Sequence, residues 1–458
     1  MRSKRGLALL GTAWLACAQP AAAFQELGLN AHQSTDVGLD VTRDAGLRWV
    51  RIDFNWLDAE KAQGAPDFSF FDGLVDAARS RGLEVLATLG YGPPWASSGD
   101  AKGDGTLNDV PLEGAYASFV SAAVTHFKDR VTHYELWNEP NLGQFFEGTV
   151  DDYLARVLVP GADAVHAACP SCSVVGPAIA TIGDGYDAFF DRVLEQASPK
   201  IDVLSGHIYA GFPDLGAGGV NGDDFFNKLE AHRVVKVGDA VVFEGPRSFR
   251  EIMLARGATQ PFWMTETGRE AALGDDAALS GQATFDRHVL EAMLPRPWWT
   301  VTLFYEAFDE PGSGYAWGVT EHQGSGYAKK PAFDVLASAR AKQTRFGGTA
   351  ADCADGLDED GDGLIDFPAD PDCDSALDAD EGVLGATATT GAGGAGGTGG
   401  SPSTGGAGGV PNAAAGCACA IDSTASASTV ASSLLSVALV GFTGMLRRLA
   451  AVRSPSRR

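Results

Sequence analysis

The chain has 458 residues, 45% of them hydrophobic, enough for one large domain with segments to spare. Its formal net charge of −25 and pI near 4.6 argue against a nucleic-acid partner, because no basic patch is available to neutralise phosphates. The imbalance is local: from Asp352 to Glu381 there are many aspartates and neither Lys nor Arg.

Residues 1–23 read as a secretory signal peptide. Arg2, Lys4 and Arg5 precede the apolar run "GLALLGTAWLACA", and Ala21 to Ala23 form a small-residue cleavage site before Phe24. Trp14 stands where a lipoprotein signal has a small aliphatic residue, so Cys17 is expected to leave with the leader. Export is therefore expected, and with it an oxidising environment for the remaining cysteines.

Residues 24–345 alternate apolar runs with amphipathic ones. The runs are "ELGLNAHQ", "LRWVRIDFNW", "LEVLATLGY", "VTHYELWNEP", "CSVVGPAIA", "IDVLSGHIYA", "PFWMTETG" and "VTLFYEAFDEP". Their near-continuous apolar cores suit strands buried on both faces of a parallel sheet. Between them, "PDFSFFDGLVDAARSRG", "AYASFVSAAVTHFKDR" and "KKPAFDVLASARAKQ" repeat apolar residues at three- and four-residue steps, which predicts helices. Eight strand–helix units in this length predict an α/β fold, a (β/α)8 TIM barrel. A doubly wound open sheet is the alternative, but it needs fewer units and no Gly-rich turn follows "ELGLNAHQ". The long stretch after the sixth strand, "AGFPDLGAGGVNGDDFFNKLEAHRVVKVGDAVVFEG", reads as a loop walling a cleft. Cys169 and Cys172, in "CPSC", lack a thioredoxin-like context and are expected as a short structural disulfide or as two unpaired thiols.

Residues 350–381 form an Asp-rich module. Asp358, Asp360 and Asp362 alternate, Gly363 follows, and Asp366 lies four residues past Asp362. This spacing predicts a structural Ca2+ loop, with the Leu364 carbonyl as a further ligand. Ala369 occupies the twelfth loop position, where an EF-hand has Glu, leaving Asp370 and Asp372 to supply oxygens. Cys353 and Cys373 bracket the loop and are expected to pair. Residues 382–416 are a Gly-rich tether with a coil reach of about 30–35 Å. Residues 417–458 contain "CAC", an apolar run from about Thr429 to Leu446, and then Arg447 and Arg448. That run is long enough for a membrane anchor with a basic stop. The arrangement resembles the C-terminal sorting signals of myxobacteria, which implies cleavage near Cys417 and retention at the cell surface.

In a barrel the strand ends matter, since active sites lie at the C-terminal ends of the strands. Polar and aromatic residues gather there: Asn30 and His32, Arg51, Asp53 and Asn55, Tyr91, Asn138 and Glu139, His207 and Tyr209, Glu266, and Tyr305. The strand interiors read as apolar. Glu139 in "WNEP" and Glu266 in "WMTETG" end the fourth and seventh strands. A facing carboxylate pair is the equipment of glycoside hydrolysis, provided one stays protonated and the other ionised. Trp137 and Pro140 beside Glu139 are expected to raise its pKa. Arg51, with a hydrogen bond from Tyr209, is expected to hold Glu266 ionised. Trp95, in "GYGPPWAS", either stacks on a sugar or anchors its loop. No cofactor is expected for catalysis, because His and Cys in the barrel show no metal-ligand spacing.

On "ELWNEPN", "RWVRIDFNW", "GHIYA", "WMTETG" and "FYEAFDEP…GYAKKPAFDVL", residues 24–345 resemble the clan A glycoside hydrolases, most of all family 39, with family 5 close behind. The resemblance implies a retaining, double-displacement glycosidase with Glu139 as acid/base and Glu266 as nucleophile. It further implies that Asn138 contacts the sugar 2-hydroxyl and that Arg51, His207 and Tyr209 belong to the substrate site. Many clan members carry Trp at the end of strand eight. This chain has Tyr305 and Phe308 there, and Trp317 nearby offers a stacking face instead. The implied partner is an extracellular polysaccharide or oligosaccharide; a non-catalytic carbohydrate-binding protein on the same barrel is the alternative.

Overall fold

The computed structural model describes residues 25–345, apart from 35, 98–106, 183–184, 213–224, 231–232, 238–239, 311–315 and 325. The signal peptide, the Asp-rich calcium loop with Cys353 and Cys373, the Gly-rich tether and the sorting segment all lie outside the described residues.

The chain opens with β1 (Glu26–Asn30), α1 (Val37–Asp44), β2 (Trp49–Asn55), α2 (Trp56–Ala59), α3 (Ser69–Ser80) and β3 (Glu84–Gly90). It continues through α4 (Ala115–Phe127), β4 (His133–Leu136), α5 (Val150–Tyr153), a π-helical turn over Leu154–Leu158, and α6 (Val159–Ala168). Next come β5 (Ser173–Ala180), α7 (Tyr186–Ala197), β6 (Val203–Ile208), α8 (Phe225–Leu229) and a hairpin of β7 (Arg233–Val237) and β8 (Ala240–Glu244). The last part is α9 (Phe249–Arg256), β9 (Phe262–Thr267), α10 (Asp276–Met293), β10 (Trp299–Phe304), a hairpin of β11 (Thr320–Gln323) and β12 (Gly326–Lys329), and α11 (Pro331–Arg345).

Eight of these strands close into a parallel barrel in the order β1-β10-β9-β6-β5-β4-β3-β2. Each corresponds to one of the eight apolar runs, so the expected barrel is the observed one. Every residue of β6, β9 and β10 is buried, as expected of strands covered by helices outside and by side chains inside. The two hairpins and the short helix α8 were not expected. They fall in stretches of mixed polarity where neither a two-residue nor a 3.6-residue period stands out.

The floor of the barrel is plugged by rings. His133 stacks on Trp263 at 4.9 Å with planes 17° apart, and Trp49 meets both edge-on. Burial lowers the His133 pKa to about 4, so the imidazole packs as a neutral ring. Glu26 accepts hydrogen bonds from Trp49 Nε1 and Arg48 Nη1, both at 2.5 Å. Near the same end, Cys169 and Cys172 form a disulfide with a Cα–Cα distance of 5.3 Å, which decides between the two expectations for that pair.

Gly28 on β1 is required by close approach: a Cβ there would lie 2.2 Å from the Trp49 carbonyl oxygen and 2.4 Å from Leu303 Cδ2. Neighbouring strands cannot move apart without breaking the ladder. Gly28→Ala is therefore expected to cost about 3 kcal/mol or to prevent folding; a loss of unfolding free energy in urea below about 1 kcal/mol would contradict this packing.

Candidate active site

The barrel mouth is built around one buried cation. Arg51, on β2, is 2% exposed and uses its guanidinium as a four-way tie. Its Nε donates to Glu135 Oε2 at 2.7 Å, Nη1 to Glu266 Oε1 at 2.6 Å and to Asn30 Oδ1 at 3.0 Å, and Nη2 to Asn138 Oδ1 at 2.7 Å. Burial disfavours its charge, but Glu135 and Glu266 outweigh that and raise its pKa, so it stays a cation.

Glu135 corrects the expectation of apolar strand interiors. It is fully buried inside the barrel and also accepts from Thr88 Oγ1 at 3.0 Å and Ser205 Oγ at 3.1 Å. Sequence reading passed over it, although an acid inside the apolar run "VTHYELW" and Arg51 inside the apolar run "WVRI" were the signal: opposite charges buried in apolar strands must find each other.

Glu139 and Glu266 come together at the ends of β4 and β9. Both are less than 10% exposed, and each offers a carboxylate oxygen within 4.8 Å of the other's and of a His207 nitrogen. Glu266 is held by Arg51 and accepts from Tyr209 Oη at 2.7 Å, as expected. Burial, then Glu266, push the Tyr209 pKa well above its ordinary value, so the phenol remains a donor. Glu139 has a raised pKa, as expected, but for a different reason. Burial is the main cause; the neighbouring Glu266 adds to it, and His207 opposes it. Trp137 points away, its Nε1 donating to the Phe145 carbonyl at 2.7 Å.

His207 is fully buried, with Nδ1 2.8 Å from Glu139 Oε1 and Nε2 3.1 Å from Thr265 Oγ1. Both ring nitrogens are thus engaged within the protein, and the ring orients carboxylates instead of presenting a face to a sugar. Burial works against its charge, yet Glu266 and Glu139 together raise its pKa. Among the described residues, Glu139, His207 and Glu266 are the side chains close enough to share a metal ion. Arg51 and Tyr209 already occupy the Glu266 oxygens.

Of the other expected residues, Tyr305 and Trp317 do reach the mouth. Trp317 lies edge-on to Tyr209 at 5.4 Å, and Tyr305 meets Tyr209 at 6.2 Å and His32 at 5.4 Å. Trp95 is a loop anchor: its Nε1 donates to the Glu60 carbonyl at 3.0 Å and its ring meets Trp56 edge-on. His32 was noted at a strand end but not assigned a role. Its Nδ1 sits 2.8 Å from Asp53 Oδ2 and its Nε2 3.2 Å from Glu306 Oε2.

All five non-glycine residues with positive φ among the described residues lie in this mouth: His32, Tyr91, Trp137, Glu139 and Ala178. Such backbone costs about 1–2 kcal/mol per residue and persists only where the surroundings enforce it.

No family model matches the sequence. A curated beta-xylosidase of Geobacillus stearothermophilus is 25% identical over 153 residues, which is 31% of this chain and 30% of that relative. The chain thus matches less than a third of that relative's length. Among solved structures, a monomeric beta-xylosidase from Caulobacter crescentus CB15 superposes with a TM-score of 0.52, at 19% identity over 71% of this chain and 69% of that one. A family 39 glycoside hydrolase from the gut symbiont Bacteroides cellulosilyticus WH2 gives 0.50, at 19% identity over 69% of this chain and 63% of that one. The likeness is one of fold. It runs through the barrel that carries Glu139 and Glu266.

Two outcomes test the electrostatics. Glu135→Ala leaves Arg51 short of a buried partner and is expected to cost about 3–5 kcal/mol in urea unfolding; a cost under about 1 kcal/mol would show that Arg51 does not depend on it. For His32, burial opposes the charge, but Asp53 and Glu306 raise the pKa from 6.5 to about 9. A raised folded pKa stabilises fully below pH 6.5, and that contribution is lost as pH climbs through 9. At a side chain 23% exposed the effect is about 2 kcal/mol after allowance for screening. His32→Gln should remove that slope between pH 6.5 and 9.5, and an unchanged slope would assign it elsewhere.

Proposed function

We propose that this chain is a retaining glycoside hydrolase that cleaves O-glycosidic bonds of an extracellular polysaccharide or oligosaccharide. The carrying observation is the pair of buried carboxylates at the ends of β4 and β9, with oxygens within 4.8 Å, Glu139 pushed toward its neutral form by burial and Glu266 hydrogen-bonded by Arg51 and Tyr209. Retaining glycosidases hold their two carboxyls about 5–5.5 Å apart, whereas inverting ones need about 6.5–9.5 Å to admit a water. The curated and structural relatives named as beta-xylosidases support a glycosidase reading and make β-xylosides the first substrates to try.

In this reading Glu266, aligned by Arg51 and Tyr209, attacks the anomeric carbon while the leaving oxygen takes the Glu139 proton. The C–O bond breaks and a glycosyl ester forms on Glu266. Glu139, now ionised, draws a proton from water, which attacks the same carbon and frees Glu266. Asn138, oriented by Arg51, is assigned to the sugar 2-hydroxyl, and Tyr305 and Trp317 to the sugar's faces. No cofactor enters these steps. The leader, the Asp-rich calcium module and the C-terminal segment are assigned to export, stability and anchorage at the cell surface, on sequence alone.

The test is turnover by the full chain on aryl β-D-xylosides, xylans, mannans, β-glucans and bacterial exopolysaccharides. Glu139→Gln and Glu266→Gln should each lose at least about 100-fold, and the first-formed product should keep the substrate's anomeric configuration. Inversion would refute the double displacement, and saccharide binding without turnover would favour a carbohydrate-binding protein.

A further inference from the structure

The β4–β5 ladder pairs His133 with Ser173, Tyr134 with Val174 and Glu135 with Val175, then stops. Glu139 lies beyond that last pair, in a segment with φ of 79° at Trp137 and 44° at Glu139. Regular pairing therefore does not hold it. On the other side, the pairing of β5 with β6 shifts register between Gly176 and Ile179, and Ala178 has φ 53°. Its N–H is taken by Ser205 Oγ at 3.0 Å, while its carbonyl accepts from the Glu139 N–H at 3.1 Å. Bulges of this kind commonly re-aim groups beside active sites.

Two residues further on, a side chain continues what the ladder began. Asn141 Nδ2 donates to the Ala180 carbonyl at 2.8 Å, and the Ala180 N–H donates to Asn141 Oδ1 at 3.0 Å. The carboxamide stands in for a peptide group and makes the two-way bond of a paired residue. Only an amide supplies both donor and acceptor at that reach. Glu139 is thus fastened to β5 at its own N–H and again at Asn141, and its backbone can relax only if one fastening yields. Both of these hydrogen bonds go to Ala180, so the amide bears on the site through the backbone that carries Glu139 and through β5, where Ala180 is the ladder partner of His207.

We infer that Asn141 is a positioning residue that holds Glu139 where its proton reaches the leaving oxygen. The inference rests on the proposed acid role of Glu139. Its loss should therefore harm proton donation and spare the attack by Glu266. Leaving groups separate the two: 2,4-dinitrophenolate departs without a proton, whereas 4-methylphenolate needs one as the C–O bond breaks. The readout is kcat/KM, which reports the first bond-breaking step, for the full-length chain on the two aryl β-D-xylosides.

Asn141→Ala is expected to lose at least about 10-fold on the 4-methylphenyl substrate and less than about 3-fold on the dinitrophenyl one, within the range that general acids contribute. Asn141→Asp keeps the acceptor for the Ala180 N–H but loses the donor, so it should fall between Asn141→Ala and wild type; it also serves if Asn141→Ala does not fold. Glu139→Ala is the control. Leaving-group selectivity in Glu139→Ala, with equal loss or no loss on both substrates in the Asn141 variants, would overturn the inference and leave the acid assignment standing. A Glu139→Ala variant without selectivity would overturn that assignment and this inference with it, as would a wild-type chain inert to both kinds of aryl glycoside for every sugar of the panel above.

Discussion

A guanidinium sealed inside a barrel must be fully paired, because an uncompensated buried charge costs several kcal/mol. Arg51 meets that demand by drawing together four groups from three other strands or their ends: Asn30, Glu135, Asn138 and Glu266. Each of those contacts constrains a second one. Glu135 in turn recruits Thr88 and Ser205, and Ser205 fixes the bulge at Ala178 against which the Glu139 backbone rests. The geometry of the mouth is largely the geometry of satisfying one cation.

The same arrangement separates the two carboxylates chemically. Glu266 lies on the side of the cation, with a phenol as second donor. Glu139 lies beyond it, with no arginine in contact, and burial favours its neutral form. His207 touches Glu139 directly, its Nδ1 lies 3.6 Å from Glu266 Oε2, and Thr265 sets its orientation. Backbone strain concentrates at the same place, where five left-handed residues are held by ladder ends, a bulge and a side-chain amide.

The barrel was legible because burial on both faces leaves long apolar runs, and eight such runs with helices between them admit few architectures. The site was legible because polar residues interrupt the apolar runs toward their C-terminal ends, which flagged Asn30, Arg51, Asn138, Glu139, His207 and Glu266, all of them buried in the structure. Glu135 was not, because its partner lies 84 residues away and no local pattern announces a buried ion pair. Asn141 escaped for a related reason. In "NEPN" it reads as a turn former, and only the position of Ala180, 39 residues on, turns it into a strand substitute. Trp95 shows the converse, an aromatic well placed in sequence for stacking whose N–H is committed to the Glu60 carbonyl.

The stacked rings of Trp49, His133 and Trp263 also bear on traffic. With the floor stopped, the barrel is a blind cup and not a conduit. Whatever reaches Glu139 from the rim must back out by the rim, and its replacement waits for the same doorway. In such a vessel departure orders events as much as arrival does, and Tyr209, Tyr305 and Trp317 stand at the doorway.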